Sequence, residues 1–96
     1  MNSPSTDVRD YLINLQDKSS ACALKYAETL DLEVMEESMT YRRIEELIEK
    51  CDSIEDAHQA VKSYLDVYNK YNENWKTSPD GHLRAFGKVE EELRNF

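Results

Sequence analysis

The stretch SIEDAHQAVKSYLDVYNKYNENW, residues 53–75, decides the fold class. Its apolar and aromatic residues recur in alternating steps of three and four, which places them on one stripe of an α-helix. The stripe consists of Ile54, Ala57, Val61, Tyr64, Tyr68, Tyr71 and Trp75. Because a single amphipathic helix gains most of its stability from packing, other helices must cover this stripe, whether from this chain or from a second one.

Three further amphipathic segments surround this stretch. Glycine and proline are scarce, with two of each, and no segment alternates with the period of a strand. We therefore predict an all-α fold, a small antiparallel bundle of three to four helices over about 4–31, 40–51, 54–76 and 82–95. At 96 residues the chain predicts one domain, 1–96, with residues 1–4 frayed.

The boundaries of these helices carry unequal signals. The apolar stripe of the second helix loses its phase after Cys51. Ser53 with Asp56 forms a capping-box-like start, so two independent signals predict a helix boundary at 52–53. Between residues 29 and 40 the apolar residues share no single stripe, which indicates a bend or short connection, with Ser38 or Thr40 capping the next helix. Gly87 lowers helix propensity, so the last helix must depend on tertiary contacts.

The net charge of −8 is confined to the middle of the chain. Residues 28–56 contain eleven acidic side chains against three basic ones, whereas acids and bases balance on either side. Such a segment creates a local negative field that repels nucleic acid and membrane surfaces and attracts basic partners.

Composition also predicts a cytoplasmic protein. The first residues have neither the basic region nor the apolar core of a signal peptide, and no apolar run is long enough to span a membrane. The two cysteines, Cys22 and Cys51, form no CxxC pair, and we expect both to be reduced thiols.

Two acidic patterns resemble parts of known metal sites. Glu55 and His58 form a Glu-x-x-His unit, but a di-iron bundle needs a second such unit and further glutamates, so a solvated pair is expected. Residues 45–49, EELIE, resemble the magnesium motif of all-α nucleotide pyrophosphatases. The second half of that motif, Glu-x-x-Asp, is missing, because Ser63 stands three residues before Asp66. The chain also lacks a Cys/His constellation and a phosphate loop, so we predict no metal, no cofactor and no enzyme activity.

The aromatic residues of the opening stripe allow two interpretations. Tyr64, Tyr68, Tyr71 and Trp75 either fill the core of the bundle or form a partner-facing stripe, since tyrosine and tryptophan are enriched at interfaces. A strict repeat of three and four would also suit a helix–helix homodimer.

These observations predict a non-enzymatic acidic helical module that docks a basic protein surface, as an inhibitor, immunity-type or adaptor protein for a nucleic-acid-binding protein or nuclease. Direct binding of nucleic acid or membrane is not expected. The alternatives are an assembly subunit that oligomerises through the aromatic stripe and, remotely, a metal-dependent all-α enzyme. The acids could equally be a solvated face. The partner-binding candidates are Glu33, Glu36, Glu37, Glu45, Glu46, Glu49 and Asp52.

Overall fold

Four α-helices build the protein. The computed structural model describes residues 6–68 and 75–96, and within these ranges there is no strand. The helices are α1 (Thr6–Thr29), α2 (Leu32–Ile48), α3 (Ile54–Tyr68) and α4 (Gly81–Arg94), with a 3₁₀ turn at Trp75–Thr77. The prediction of a small all-α helical bundle is confirmed.

Helices α1 and α2 form an antiparallel hairpin. Residues nearer the C-terminus of α1 contact residues nearer the N-terminus of α2. Gln16 of α1 donates to Glu45, and Ser19 meets Ser38. The Ser38 hydroxyl donates to the Ser19 carbonyl at 2.8 Å, and the Ser19 hydroxyl lies 3.2 Å from the Ser38 carbonyl. Small side chains let the two backbones approach this closely, and the reciprocal hydrogen bonds satisfy the buried hydroxyls.

The second hairpin consists of α3 and α4, and its aromatic contacts run antiparallel. The Tyr64 ring stacks on the Phe86 ring with centroids 4.2 Å apart, while His58 near the start of α3 reaches Glu90 towards the end of α4. Helix α4 also packs across α2, so that all four helices contribute to one core. The core residues are Val8, Tyr11, Leu15, Tyr41, Ile44, Ile48, Ala57, Val61, Leu65, Trp75, Leu83, Ala85, Phe86, Val89 and Leu93.

The start of α3 agrees with the predicted boundary at 52–53. Helix α3 begins at Ile54, and the Ser53 hydroxyl accepts the backbone N–H of Asp56 at 3.1 Å. Its predicted extent to residue 76 differs from the structure, because Trp75 begins a 3₁₀ turn and residues 69–74 lie outside the described ranges. Pro79 follows that turn closely and cannot donate the backbone hydrogen bond that a continuing helix needs.

The predicted start of the second helix was wrong. Helix α2 spans Leu32–Ile48 rather than 40–51, and its N-cap is Asp31, whose side chain accepts the Glu33 N–H at 2.9 Å. Ser38 and Thr40 are buried inside the helix instead of capping it. The single-stripe criterion failed because α2 packs against both α1 and α4, so its inward residues cover two faces.

The C-terminal end of α1 and both ends of α4 differ from the predicted bounds by one or two residues. Helix α1 ends at Thr29 rather than 31, because Leu30 leaves the helix with a φ of 55°. Helix α4 runs over Gly81–Arg94 instead of 82–95, and Asp80 caps it by accepting the N–H groups of His82 and Leu83. Asp31 and Asp80 are thus the N-cap residues of α2 and α4.

We expect Leu30→Gly to stabilise the protein by about 1 kcal/mol. Leucine at a φ of 55° is strained, whereas glycine adopts this conformation readily, and the Leu30 side chain is 71% exposed, so little burial is lost. Urea unfolding measures the change. The control is Leu24→Gly, which removes a leucine that is 70% exposed from the interior of α1 and is expected to destabilise by about 1 kcal/mol. A destabilised Leu30→Gly variant would contradict the prediction.

Candidate functional site

The seven predicted acids do not form one surface. Glu37 and Glu45 are half-buried and engaged within the chain, Glu45 through the Gln16 side-chain amide at 3.0 Å. The remaining five are exposed and fall at opposite ends of α2. Glu33 and Glu36 line one groove together with Asp80, and we call these three the groove acids. We call Glu46, Glu49 and Asp52 the distal acids.

Glu37 holds α2 against α4. Its carboxylate lies 3.3 Å from the Arg84 Nε and accepts the Tyr41 hydroxyl at 3.0 Å. Arg84 also lies 3.8 Å from Glu33 and donates to the Ser78 carbonyl. The side chains of Glu37 and Arg84 are only 18% and 19% exposed, so this ion pair is a structural link rather than a surface available to a partner.

Two core tyrosines, Tyr11 and Tyr41, have pKa values raised by their surroundings. Burial, followed by the hydrogen bond and negative charge of Glu92, raises the pKa of Tyr11. Burial, followed by the negative charge of Glu37, raises the pKa of Tyr41. Both phenols therefore stay protonated in the folded protein at a pH where the unfolded chain ionises, near the ordinary tyrosine pKa of about 10.

We expect the free energy of unfolding to fall above about pH 10, by up to about 1.4 kcal/mol per pH unit for each of the two tyrosines. Above that pH the unfolded state binds fewer protons than the folded state, so the stability that is complete below the unfolded pKa is lost as pH rises. Urea unfolding between pH 8 and 11 measures the slope. The slope should be smaller in Tyr41→Phe and smaller still in Tyr11→Phe/Tyr41→Phe; equal slopes in all three proteins would contradict this account.

An open groove of about 870 Å³ lies between the outward face of α2 and the start of α4. Its apolar lining is Leu32, Met35 and Met39, which are 68%, 36% and 50% exposed. The groove acids and Arg43 supply its charges, three carboxylates against one guanidinium. We call Leu32, Met35 and Met39 the apolar floor of the groove, and its charged side chains the rim.

The α4 side of the groove is held firmly by hydrogen bonds. The backbone N–H of His82 lies 3.0 Å from carboxylate oxygens of both Glu36 and Asp80, and the His82 Nδ1 lies 3.2 Å from the Thr40 hydroxyl. The His82 ring also contacts the Phe86 ring, with centroids 4.9 Å apart. These contacts connect the charged side of the groove to both α2 and α4, so the groove is formed by the packing of these two helices.

The aromatic residues that the sequence offered as an interface pack within the chain where the structure describes them. Tyr64 is half-buried against Phe86, and Trp75 is 6% exposed and covers Gly87. The side chain of Tyr68 and all of Tyr71 lie outside the described ranges.

His58 pairs with a glutamate on another helix. The sequence suggested a solvated Glu55–His58 pair, but the His58 Nε2 lies 2.8 Å from the Glu90 carboxylate, which Arg94 also approaches at 3.4 Å. A cavity of about 220 Å³ adjoins this cluster. The Glu90 side chain is 7% exposed, and its contact with His58 links α4 to α3. Among the described residues, no group of three or more His, Cys, Asp or Glu side chains is placed to hold a metal ion.

The groove contains residues that sequence reasoning missed. Met35 and Met39 belonged to the apolar residues that share no single stripe, Asp80 lay outside the predicted helices, and His82 was the first residue of the predicted last helix. The lack of a shared stripe between residues 29 and 40 was nevertheless a usable signal, because apolar residues off the buried stripe are candidates for an exposed apolar surface. Only Val34 of that set is buried.

The fold and groove define a small all-α bundle with one apolar, acid-rimmed surface in its described part. Comparison of the chain with protein-family models, with curated proteins and with solved structures finds no match. No helix within residues 6–68 and 75–96 is both long enough and apolar enough to cross a bilayer.

Proposed function

We propose that this protein is a non-enzymatic binding module that docks a basic surface of another protein through α2 and the adjoining start of α4. The groove is the observation that carries the proposal. Exposed methionine and leucine side chains supply area to bury against a partner, and the surrounding carboxylates select for positive charge. An inhibitor, an immunity-type protein or an adaptor for a nucleic-acid-binding protein or nuclease would use such a surface.

Two observations favour this function over an assembly subunit that pairs through its aromatic stripe. Tyr64 and Trp75 are covered by α4, so this part of the stripe needs no second chain. A symmetric pairing through α2 would bring the same carboxylates of two copies together, which is unfavourable. We place the protein in the cytoplasm, a proposal that its two free cysteines support, because thiols stay reduced in that compartment.

The test is quantitative affinity capture from the native host with three matched charge-neutralised proteins. The groove variant is Glu33→Gln/Glu36→Gln, the distal variant is Glu46→Gln/Glu49→Gln, and the control is Asp10→Asn/Asp17→Asn on the exposed face of α1. We expect a partner that wild type and control retain equally, that at least one α2 variant loses, and that elutes when salt rises to about 0.5 M. Equal retention by all four proteins, or binding that ignores salt, would refute the proposal.

A further inference from the structure

We propose that the groove binds a short basic amphipathic helix of the partner protein. This inference rests on the proposed function and names the occupant of the same surface. Two features of the groove support a helix with Lys or Arg on its flanks: the spacing of its apolar residues and the sign of its charge. A strained leucine also precedes the groove residues in the chain.

The apolar floor has the length and spacing to receive a helix. Leu32, Met35 and Met39 stand at i, i+3 and i+7 on α2, so they form a single stripe along its outward face. From Leu32 to Arg43 the groove follows α2 for about 17 Å, roughly three helical turns. An apolar face with the same spacing on a partner helix would lie along this stripe, and methionine side chains adapt to varied shapes.

The charge of the rim selects a basic occupant. Glu36 accepts a neutral backbone N–H from His82, and a carboxylate keeps its negative charge when it accepts such a bond. Glu33 lies 3.8 Å from Arg84, which is closer to Glu37 and is shared with it. The groove lining holds three carboxylates, including that of Asp80, against the single guanidinium of Arg43, so its formal charge is negative. Lys or Arg side chains on both sides of an apolar helix face would meet this rim.

Leu30 precedes the groove residues in the chain and is strained. It stands two residues before Leu32, has a φ of 55° and is 71% exposed. Glycine is the usual residue in this conformation at a helix end, so leucine destabilises the free protein here. Strain of this kind concentrates at functional positions.

The probe for the test is a synthetic peptide of about 14 residues that contains only leucine and lysine, with leucines at helical spacing. Its controls are a scrambled peptide of the same composition and a leucine–glutamate peptide with the original spacing. Binding is followed by NMR of ¹³C-methyl-labelled methionine. The chain has three methionines, two of them in the groove, so Met35 and Met39 report on the site and Met1 is the reference.

We expect saturable shifts of the Met35 and Met39 signals with the amphipathic leucine–lysine peptide and much weaker effects of both control peptides. Met35→Gln/Met39→Gln should weaken binding by about tenfold or more, because it removes the apolar floor while retaining helix propensity. The matched control, Ile13→Gln/Leu24→Gln, changes two comparably exposed apolar residues of α1 and should leave the affinity unchanged. Glu33→Gln/Glu36→Gln should weaken binding several-fold, and Glu46→Gln/Glu49→Gln should not.

Three results would overturn the inference. The first is equal binding of the scrambled peptide, the second is no shift at either methionine, and the third is a dimer in light scattering that Met35→Gln/Met39→Gln dissociates, since a second copy would then occupy the groove. The proposed function would survive the first two results if host capture still required the distal acids. It would fail if capture required neither acidic group, so the two failures are distinguishable.

Discussion

Gly81→Ala is expected to destabilise the protein by about 3 kcal/mol, a large share of the stability of a small domain. A Cβ atom at this position would overlap the carbonyl oxygen of Glu33 and lie 3.0 Å from the backbone nitrogen of Glu37. Both atoms belong to the backbone of α2, which cannot move aside as a flexible side chain could. Glycine is required here because α4 begins in direct contact with α2.

Thermal unfolding should show this loss as a decrease in Tm of roughly 12–24 °C. The control is Lys88→Ala, on the exposed side of the same helix, which should change the free energy of unfolding by less than about 0.5 kcal/mol. A Gly81→Ala protein as stable as this control would mean that the start of α4 does not approach α2 as closely as described. Because Gly81 follows Asp80, the substitution should also shift the Met35 and Met39 methyl signals by moving the rim of the groove.

Gly87→Ala is expected to destabilise the protein by up to about 2 kcal/mol although alanine is the better helix former. Alanine would gain about 1 kcal/mol in helix propensity. Its Cβ, however, would lie 2.5 Å from Cγ and 2.9 Å from Cβ of Trp75, and such overpacking typically costs about 1–3 kcal/mol. We expect the overlap to dominate, because those two atoms lie close to the Trp75 backbone and cannot swing away.

A double-mutant cycle with Trp75→Ala separates the two effects. Without the indole most of the overlap disappears, so Gly87→Ala should become neutral or stabilising in that background. Unfolding in urea at low temperature keeps the weakened Trp75→Ala protein within a measurable range. A destabilisation by Gly87→Ala that is the same with and without the indole would show that packing against Trp75 is not its cause.

Much of the fold could be predicted from the sequence because most of its signals are local. The scarcity of glycine and proline, together with the absence of period-two alternation, is sufficient for an all-α prediction. The boundary before α3 had two coincident signals, the phase break after Cys51 and the Ser53 cap. The dependence of α4 on tertiary contacts could be inferred from Gly87, although the residue that covers it, Trp75, could not.

The start of α2 could not be predicted by the same reasoning. A single stripe is expected when a helix buries one face, but α2 is covered by α1 on one side and by α4 on the other. Ser38 and Thr40 looked like caps, yet they lie in the helix interior, where the Thr40 hydroxyl donates to the Glu36 carbonyl at 2.7 Å. The true cap, Asp31, stands between Leu30 and Leu32, which are both exposed.

The groove was beyond sequence reasoning because it needs two segments far apart in the chain. The charge count identified Glu33 and Glu36, but only tertiary structure brings Asp80 and His82 to them. The same count grouped Glu37 and Glu45 with the surface acids, whereas both are engaged by other helices. Composition thus located the acidic helix, and packing determined which of its carboxylates face outward.

The hydrogen-bonded serines, Ser19 and Ser38, allow only one register between α1 and α2. Apolar contacts alone tolerate sliding, but a one-residue slip would turn each hydroxyl about 100° away from its partner carbonyl. Buried polar groups would then be left unpaired, at a cost of about 1–3 kcal/mol each. Ser19 and Ser38 therefore fix the axial position and rotation of α2. Because the rotation of α2 is fixed, the direction in which Met35 and Met39 face is fixed with it; Met39, the next residue after Ser38, points about 100° away from the serine pair.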